Sequence, residues 1–477
     1  MTNRFPKSVY EIYVSSFADS NGDGVGDLNG IIQKLDYLKD LGIEAIKLSP
    51  IWQSPGADGG YDISDYLAID KRFGTIEDFK KLIKAVHEKG LRIIVDYVPN
   101  HTSHLHPWFK THPDYYLWRK SPNNWRSVFG DVSAWEFDKN RGEYYFHSFL
   151  KEQPDLNWRN PAVVREMLAV LKQYLDWGVD GIRIDAINHL IKDPRYPDEP
   201  PNPNYKPLVE RPYYALDHIY STNQPELFGY LEKMCAVIGC YPDAFMVSET
   251  YVTLEEKKKY FRACDNRVNT VFNFDLIALP WDARTWKKTI DDLCAILRPG
   301  DMPVWSLGNH DQVRLATRIG QNRTPAAAML ILTLPGIPGI YYGDEIGMEQ
   351  AIVPPDKIRD LLGGRDGCRG PMEWPEKNFL RDLYKRLLAL RNQSDILRHG
   401  SYQSLKLDNQ PVMAYIRQYQ GKQLLTVLNF SGRPQIVTLP YPRARLVLNT
   451  ELKDGGKIVD LTNFTLHSHE GIIFSLD

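Results

Sequence analysis

Short apolar runs rich in β-branched and aromatic residues alternate with segments of helical period along most of this chain. The runs at 9–17, 43–51, 92–99, 181–187, 245–251, 269–276, 303–310 and 339–343 read as strands. Between them, residues 28–41, 76–89, 162–177, 225–238 and 286–297 repeat apolar positions every three or four residues, as Leu35, Leu38 and Leu41 do in the first. Eight strands alternating with helices predict a closed parallel barrel, because right-handed βαβ crossovers curl the sheet one way.

Two segments break the alternation. Residues 100–160 are rich in Trp, Tyr, His, Asn and Pro, lack a long helical period, and predict a small inserted subdomain after the third strand. Residues 396–477 alternate short strands with turn residues and predict an antiparallel β-sandwich. The expected fold is therefore α/β: a TIM (β/α)8 barrel from residues 1–99 and 161–395, carrying both modules. A Pro-rich stretch, DPRYPDEPPNPNYKPLVERPYY at 193–214, follows the fourth strand and is expected to overhang its C-terminal end as a wall or lid.

Composition narrows the function. Hydrophobic residues are 43% of the 477, enough for a large core, and a formal net charge of −2 gives no long-range pull toward nucleic acid or an anionic membrane. A neutral small molecule is the expected partner. Cys235, Cys240, Cys264, Cys294 and Cys368 have no framework spacing and read as reduced thiols. The start of the chain has no apolar signal run, and the longest apolar stretch, 326–338, is broken by Pro335 and Pro338, so the cytoplasm is the expected compartment.

The chemistry lies at the strand ends. The third strand ends in DYVPNHTS (96–103), the fourth contains GIRIDAINH (181–189), the fifth ends in FMVSET (245–250), and the seventh in SLGNHDQVR (306–314). A barrel gathers these ends at one mouth, bringing together Asp96, Asp185, Glu249 and Asp311 with Arg183, His101 and His310. Several carboxylates round one pocket fit glycoside cleavage, in which one attacks the anomeric carbon and a protonated one serves the leaving oxygen. Arg183, two residues before Asp185, shares its strand face and is expected to lower its pKa and keep it an ionised nucleophile. Glu249 has no basic neighbour in sequence and sits in an apolar strand, which suits an acid. Asp311 is left to bind ring hydroxyls and stabilise the oxocarbenium-like state. Singly, each residue could equally cap a turn or close a structural ion pair; independent strands all ending in the required groups favour catalysis.

These four motifs, with GYDISDY (60–66), QPDLNW (153–158) and GIPGIYYGDEIG (336–347), resemble in order the sequence regions of the α-amylase superfamily, and within it the α-glucosidase and oligo-1,6-glucosidase branch of glycoside hydrolase family 13. The resemblance implies Asp185 as nucleophile, Glu249 as acid/base and Asp311 as transition-state stabiliser. It implies that Tyr61, Asp62, His101, Arg183 and His310 hold a non-reducing glucose, with Tyr61 stacking on its ring. GRDGCRGPMEW (364–374) resembles a further segment whose arginine, Arg365 or else Arg369, pairs with Asp62 and closes the pocket for exo action. It departs from the family in Glu373 and the Gly-Cys pair, as Val313 does where Pro is usual.

DSNGDGVGD (19–27) places oxygen side chains at Asp19, Asn21, Asp23 and Asp27 with the alternate spacing of a calcium loop. The resembling branch carries such a loop, with a backbone carbonyl near Val25, so structural Ca2+ is expected. HTSHLH (101–106) is not read as a zinc site. Ala186 follows the nucleophile where, in the resembling branch, Val accompanies α-1,6 preference; the smaller residue points to maltose-type α-1,4-glucosides. A transglucosylase or isomerase on the same site, or an α-1,6- or sucrose-active hydrolase, is the alternative. A non-catalytic transporter heavy-chain relative fits less well, since the trio is intact.

Overall fold

The computed structural model describes residues 4–207, 210–360, 364–453 and 455–476. Eight parallel strands close a barrel: β1 (Val9–Ile12), β2 (Ala45–Leu48), β3 (Arg92–Tyr97), β4 (Gly181–Ile184), β5 (Phe245–Ser248), β6 (Asn269–Asn273), β7 (Val304–Ser306) and β8 (Ile337–Tyr341). Each pairs with its sequence neighbours and β8 pairs with β1, as the alternation of runs predicts.

Seven of the eight strands are shorter than the runs that announced them, and the eighth begins two residues earlier than its run. β1 stops at Ile12 and the chain turns into a helical turn, Val14–Phe17, because the backbone leaves the sheet at the barrel mouth, where the Val14 N–H donates to Ser49 Oγ at 3.0 Å. The first predicted helix is two, Leu28–Gln33 and Leu35–Leu41, meeting at Lys34. The helix Thr324–Thr333 overlaps the longest apolar run and is buried almost throughout, so it shows no amphipathic period. Among the described residues no helix is long and apolar enough to cross a membrane.

Residues 100–160 hold a three-stranded antiparallel sheet, Trp118–Arg119, Glu143–Phe146 and Trp135–Asp138, packed round Leu117, Trp125, Trp135 and Phe146. The Pro-rich stretch is fastened to this subdomain. Trp125 Nε1 donates to the Pro197 carbonyl at 2.7 Å, and Asn124 exchanges hydrogen bonds with the Glu199 backbone at 2.8 and 2.7 Å. Residues 208–209 of that stretch lie outside the described residues.

The C-terminal module has a six-stranded antiparallel sheet, with Gly471–Ser475 between Lys422–Asn429 and Arg443–Asn449, and a two-stranded sheet, Gln435–Val437 with Phe464–Leu466. It covers the helix Thr324–Thr333: Arg417 donates to the Thr333 carbonyl at 2.6 Å, and a Cβ at Gly471 would lie 2.8 Å from Met329 Sδ.

One sequence expectation is overturned. Cys235 and Cys264, with Cα atoms 6.0 Å apart, are joined by a disulfide, while Cys240, Cys294 and Cys368 are free. The partners meet because the loop that follows the helix Leu254–Arg262 passes the helix Leu227–Gly239, where Asn266 Nδ2 donates to the Cys235 carbonyl at 3.0 Å, a tertiary proximity that no spacing of cysteines reveals.

The barrel interior is layered. Val9, Ala45, Ile94, Phe245, Val247, Phe272, Val304 and Ile337 form an apolar floor. Gly181 makes room for it: a Cβ there would stand 2.6 Å from Phe245 Cζ and 3.0 Å from Ile94 Cγ1. We therefore expect Gly181→Ala to cost about 1–3 kcal/mol of stability through overpacking, read from urea unfolding midpoints. Adding Phe245→Leu should recover part of the loss; a fully additive double variant would show that the ring is not what the methyl meets.

Candidate active site

Above the apolar floor the inward-facing residues of β1 to β4 are Glu11, Lys47, Asp96 and Arg183, alternating in charge. Lys47 lies 3.3 Å from Glu11 and 3.1 Å from Asp96, and Asp96 accepts from Arg183 at 2.7 Å. All four side chains are under a tenth exposed, so each charge is stable only because its neighbours oppose it. Burial acts to raise Glu11, but Lys47 and a hydrogen bond from His310 outweigh it and bring its pKa down to about 2.

Arg183 carries the next level. One nitrogen donates to Asp185 at 2.7 Å and the other lies 2.6 Å from Glu249 Oε1. The second contact comes from an adjacent strand, since Arg183 on β4 is in register with Val247 on β5, so the basic neighbour missing from the local sequence of Glu249 arrives across the sheet. Arg183 acts to lower the Asp185 pKa, as expected, but it does not prevail. Burial pushes the Asp185 carboxyl well above the ordinary value, Arg183 opposes this, and Glu249 and Asp96 add to it, because one guanidinium serves three carboxylates. Ala186, in the left-handed region at φ 44°, turns its N–H onto Glu249 Oε2 at 3.1 Å and so ties the two strand ends together.

His310 bridges the belt and the mouth. Its Nδ1 is 2.7 Å from Glu11, and its Nε2 is 2.8 Å from the Tyr61 hydroxyl and 3.3 Å from Asp311. The Tyr61 and His310 rings stack with centroids 5.3 Å apart, and the Tyr61 hydroxyl donates to Asp96 at 3.0 Å. Asp311 is met by Arg369 at 3.0 Å and Arg365 at 3.2 Å. Burial acts to raise its carboxyl, but His310 and the three arginines hold it well below the usual range.

The pairing of Asp62 with an arginine is also corrected. Asp62 is fully buried, and its carboxylate accepts from Ser54 Oγ and from the Ala57 and Asp58 amides at 2.8–3.1 Å. It builds the turn that presents Asp58, and Asp58 is what Arg365 meets, at 2.7 Å. Gln153 continues the ring, donating to Asp58 at 3.0 Å with the same nitrogen that lies 3.0 Å from His101. Asp58, Gln153, Glu11 and Lys47 had no role in the sequence reading. Asp58 stands two residues before the GYDISDY motif and Gln153 opens QPDLNW, so both had a positional signal; Glu11 and Lys47 lie inside strands and had none beyond being charges in apolar runs.

In the 19–27 loop, the Asp19 carboxylate accepts from the amides of Asn21, Gly22 and Gly24, and Asp23 accepts from Val25 N–H and Asn21 Nδ2. Asp27 caps the helix Leu28–Gln33 through Gly30 N–H and accepts from Ser20. Among the described residues no three His, Cys, Asp or Glu side chains converge as a metal-binding group. Asp19, Asn21 and Asp23 form one exposed turn with Val25 beside it, and Asp27 turns inward.

Comparison with known proteins places this geometry in context. Residues 11–383 match the model of the alpha amylase catalytic domain, and residues 402–473 that of the maltogenic amylase C-terminal domain. The chain is 37% identical to an oligo-1,6-glucosidase of Parageobacillus thermoglucosidasius, with 91% of each chain covered, and 35% identical to an alpha-glucosidase of Apis mellifera, with 90% of this chain and 86% of the relative covered. Among solved structures, an alpha-glucosyl transfer enzyme superposes with a TM-score of 0.89 at 32% identity over 99% of both chains.

The depressed Glu11 pKa fixes a sign. A carboxyl lowered from 4.5 to about 2 in the folded state adds stability that is complete above its unfolded pKa and is lost as pH falls toward 2, about 3 kcal/mol in all. Glu11→Gln should therefore be less stable than the parent near neutrality, with the difference shrinking between pH 5 and pH 3. Denaturant midpoints across that range check it; a difference independent of pH would mean that the Glu11 charge contributes nothing.

Proposed function

Because the chain belongs to the alpha-amylase family of glycoside hydrolases, we propose that it is a retaining, exo-acting α-glucosidase that releases α-glucose from short α-glucosides. The observation that carries this reading is the single Arg183 guanidinium holding Asp185 and Glu249 together. A retaining mechanism needs its two carboxyls about 5–5.5 Å apart, with no gap for a water between them, and a guanidinium donating to both keeps them neighbours.

In this reading Asp185 attacks the anomeric carbon as Glu249 gives its proton to the departing glycosidic oxygen. Glu249 then takes a proton from water, which displaces Asp185 from the same carbon. Asp311, kept ionised by Arg365 and Arg369, faces the positive charge that develops on the ring. The Asp58–Arg365–Asp311 bridge, with Gln153 and His101 beside it, supports a pocket closed behind one sugar and hence exo action. Ala186 leaves space beside Asp185 and favours α-1,4-linked substrates. The names of the oligo-1,6-glucosidase relatives support the second reading, α-1,6 cleavage, and the likeness to a glucosyl transfer enzyme supports transfer to a sugar in place of water. Products from maltose, isomaltose and sucrose, followed by NMR, separate the three.

The residues of the 19–27 loop suit a calcium ion by type, although their side chains do not converge on one point here. Their donors are all oxygens, which suit a hard cation, and Gly22 and Gly24 at φ 82° and 87° let the turn coil. Asp19, Asn21, Asp23 and Asp27 with the Val25 carbonyl would hold the ion, whose contribution is to stabilise the turn that follows β1. Chelation should then lower the melting temperature of the parent and leave that of Asp23→Ala unchanged; an identical response in both sinks the loop as a metal site.

Two substitutions test the chemistry. Asp185→Asn should fold and lose all measurable turnover. Glu249→Gln should lose maltose cleavage yet retain far more activity on an activated aryl glucoside, whose leaving group needs no proton. The first glucose released should be the α-anomer. Initial β-glucose, or near-normal maltose turnover by Asp185→Asn, overturns the mechanism.

A further inference from the structure

The arginine that bridges Asp58 and Asp311 is itself held by a third carboxylate. Asp360, on the connection after β8 and five residues before Arg365, has a side chain only 2% exposed. Its Oδ1 accepts from Arg365 Nε at 3.0 Å and from Nη2 at 2.7 Å, and its Oδ2 accepts from the Arg365 main-chain N–H at 3.1 Å. We propose that Asp360 is a positioning residue: it holds Arg365 in the orientation that reaches Asp58 and Asp311 together, and so sets the closed back of the pocket and its grip on one sugar.

A long, flexible arginine side chain carries about 2 kcal/mol of rotamer entropy. Asp58 and Asp311 meet Arg365 only at its tip, through Nη2 at 2.7 Å and Nη1 at 3.2 Å. Asp360 meets it at both ends, the main-chain N–H and the Nε edge of the guanidinium, which fixes the plane of the fork. With that edge occupied, the hydrogens left for other acceptors are one on Nη2 and the pair on Nη1. The first goes to Asp58 and one of the pair to Asp311, so the direction of both contacts follows from how Asp360 grips the fork. Asp360 is fixed in turn by the neighbour of Arg365: Asp366 Oδ2 accepts from the Arg359 and Asp360 amides at 3.1 and 2.9 Å. The two aspartates thus clip residues 359–360 to residues 365–366. The Phe129 ring, its centroid 5.2 Å from the guanidinium carbon, covers a face of the fork. Burial acts to raise the Asp360 carboxyl, but Arg365 outweighs it and holds the group below its ordinary range, in keeping with a charge-assisted grip.

That the ligand is a glucose unit rests on the glucoside reading, but the placement of Arg365 can be seen without any ligand. In crystals of Asp360→Ala grown without sugar, the Arg365 guanidinium should have left Asp58, Asp311 or both. Asp360→Asn keeps the size of the side chain but has one acceptor oxygen where two are used, so it should show the same loss; it decides the matter if Asp360→Ala does not fold. In kinetics, Asp360→Ala should raise KM for maltose about tenfold or more and lower kcat by much less. Glucose, as a competitive inhibitor, should weaken by the same factor, because it occupies the same one-sugar pocket. A connection that is merely loosened would impair the enzyme whatever stands at 365, so a double-mutant cycle separates the two roles. Added to Arg365→Ala, Asp360→Ala should change KM little further. An Arg365 still bridging Asp58 and Asp311 in either Asp360 variant, or KM effects of Asp360→Ala and Arg365→Ala that simply multiply, overturns the proposal. A parent that hydrolyses no glucoside, with Arg365 displaced in the variant, overturns the functional reading alone.

Discussion

Charge buried in a barrel has to be answered by charge, and the organisation of this mouth follows from how that is done. Glu11, Lys47, Asp96 and Arg183 stand on consecutive strands with alternating sign, resting on a floor of buried apolar side chains. Removing any one would leave its neighbours as uncompensated interior charges, a loss of several kcal/mol. The strand register is therefore held by electrostatics as well as by hydrogen bonds, and the belt ends in an arginine whose remaining donors can go only upward. Asp185 and Glu249 lie where they do because that guanidinium reaches them, and His310 is anchored because Glu11 reaches it from the other end.

The sequence made the barrel legible because buried parallel strands read as apolar runs, and made the catalytic trio legible because each member sits at a strand end, where topology alone guarantees convergence. What it hid was pairing across strands. Glu249 looked free of cations because its partner lies on β4. The expected pairing of Asp62 with an arginine failed for a related reason: Asp58 and Asp62 are acidic residues in one glycine-rich turn, and only the fold shows that Asp62 spends its carboxylate on Ser54, Ala57 and Asp58 while Asp58 faces Arg365. The helix Thr324–Thr333 and the Cys235–Cys264 bridge were missed likewise, since complete burial erases helical periodicity and a loop folded back on an earlier helix leaves no trace in cysteine spacing.

The mouth is also divided by origin. The strand ends supply the reacting groups, while the segments at 58, 101, 153 and 365 supply a ring of polar contacts round them. Chemistry thus rests on the most rigid part of the molecule and recognition on the connections, where substitutions are tolerated best. The Pro-rich stretch, stitched to Asn124 and Trp125, makes the inserted subdomain and the β4 connection one wall.

The cover over the helix Thr324–Thr333 bears on how the molecule is made. That helix belongs to the barrel, yet its outer face is sealed by Arg417 and by the strand Gly471–Ser475, far downstream. A barrel without the C-terminal module would present this mostly apolar helix to water, a patch prone to association with other chains.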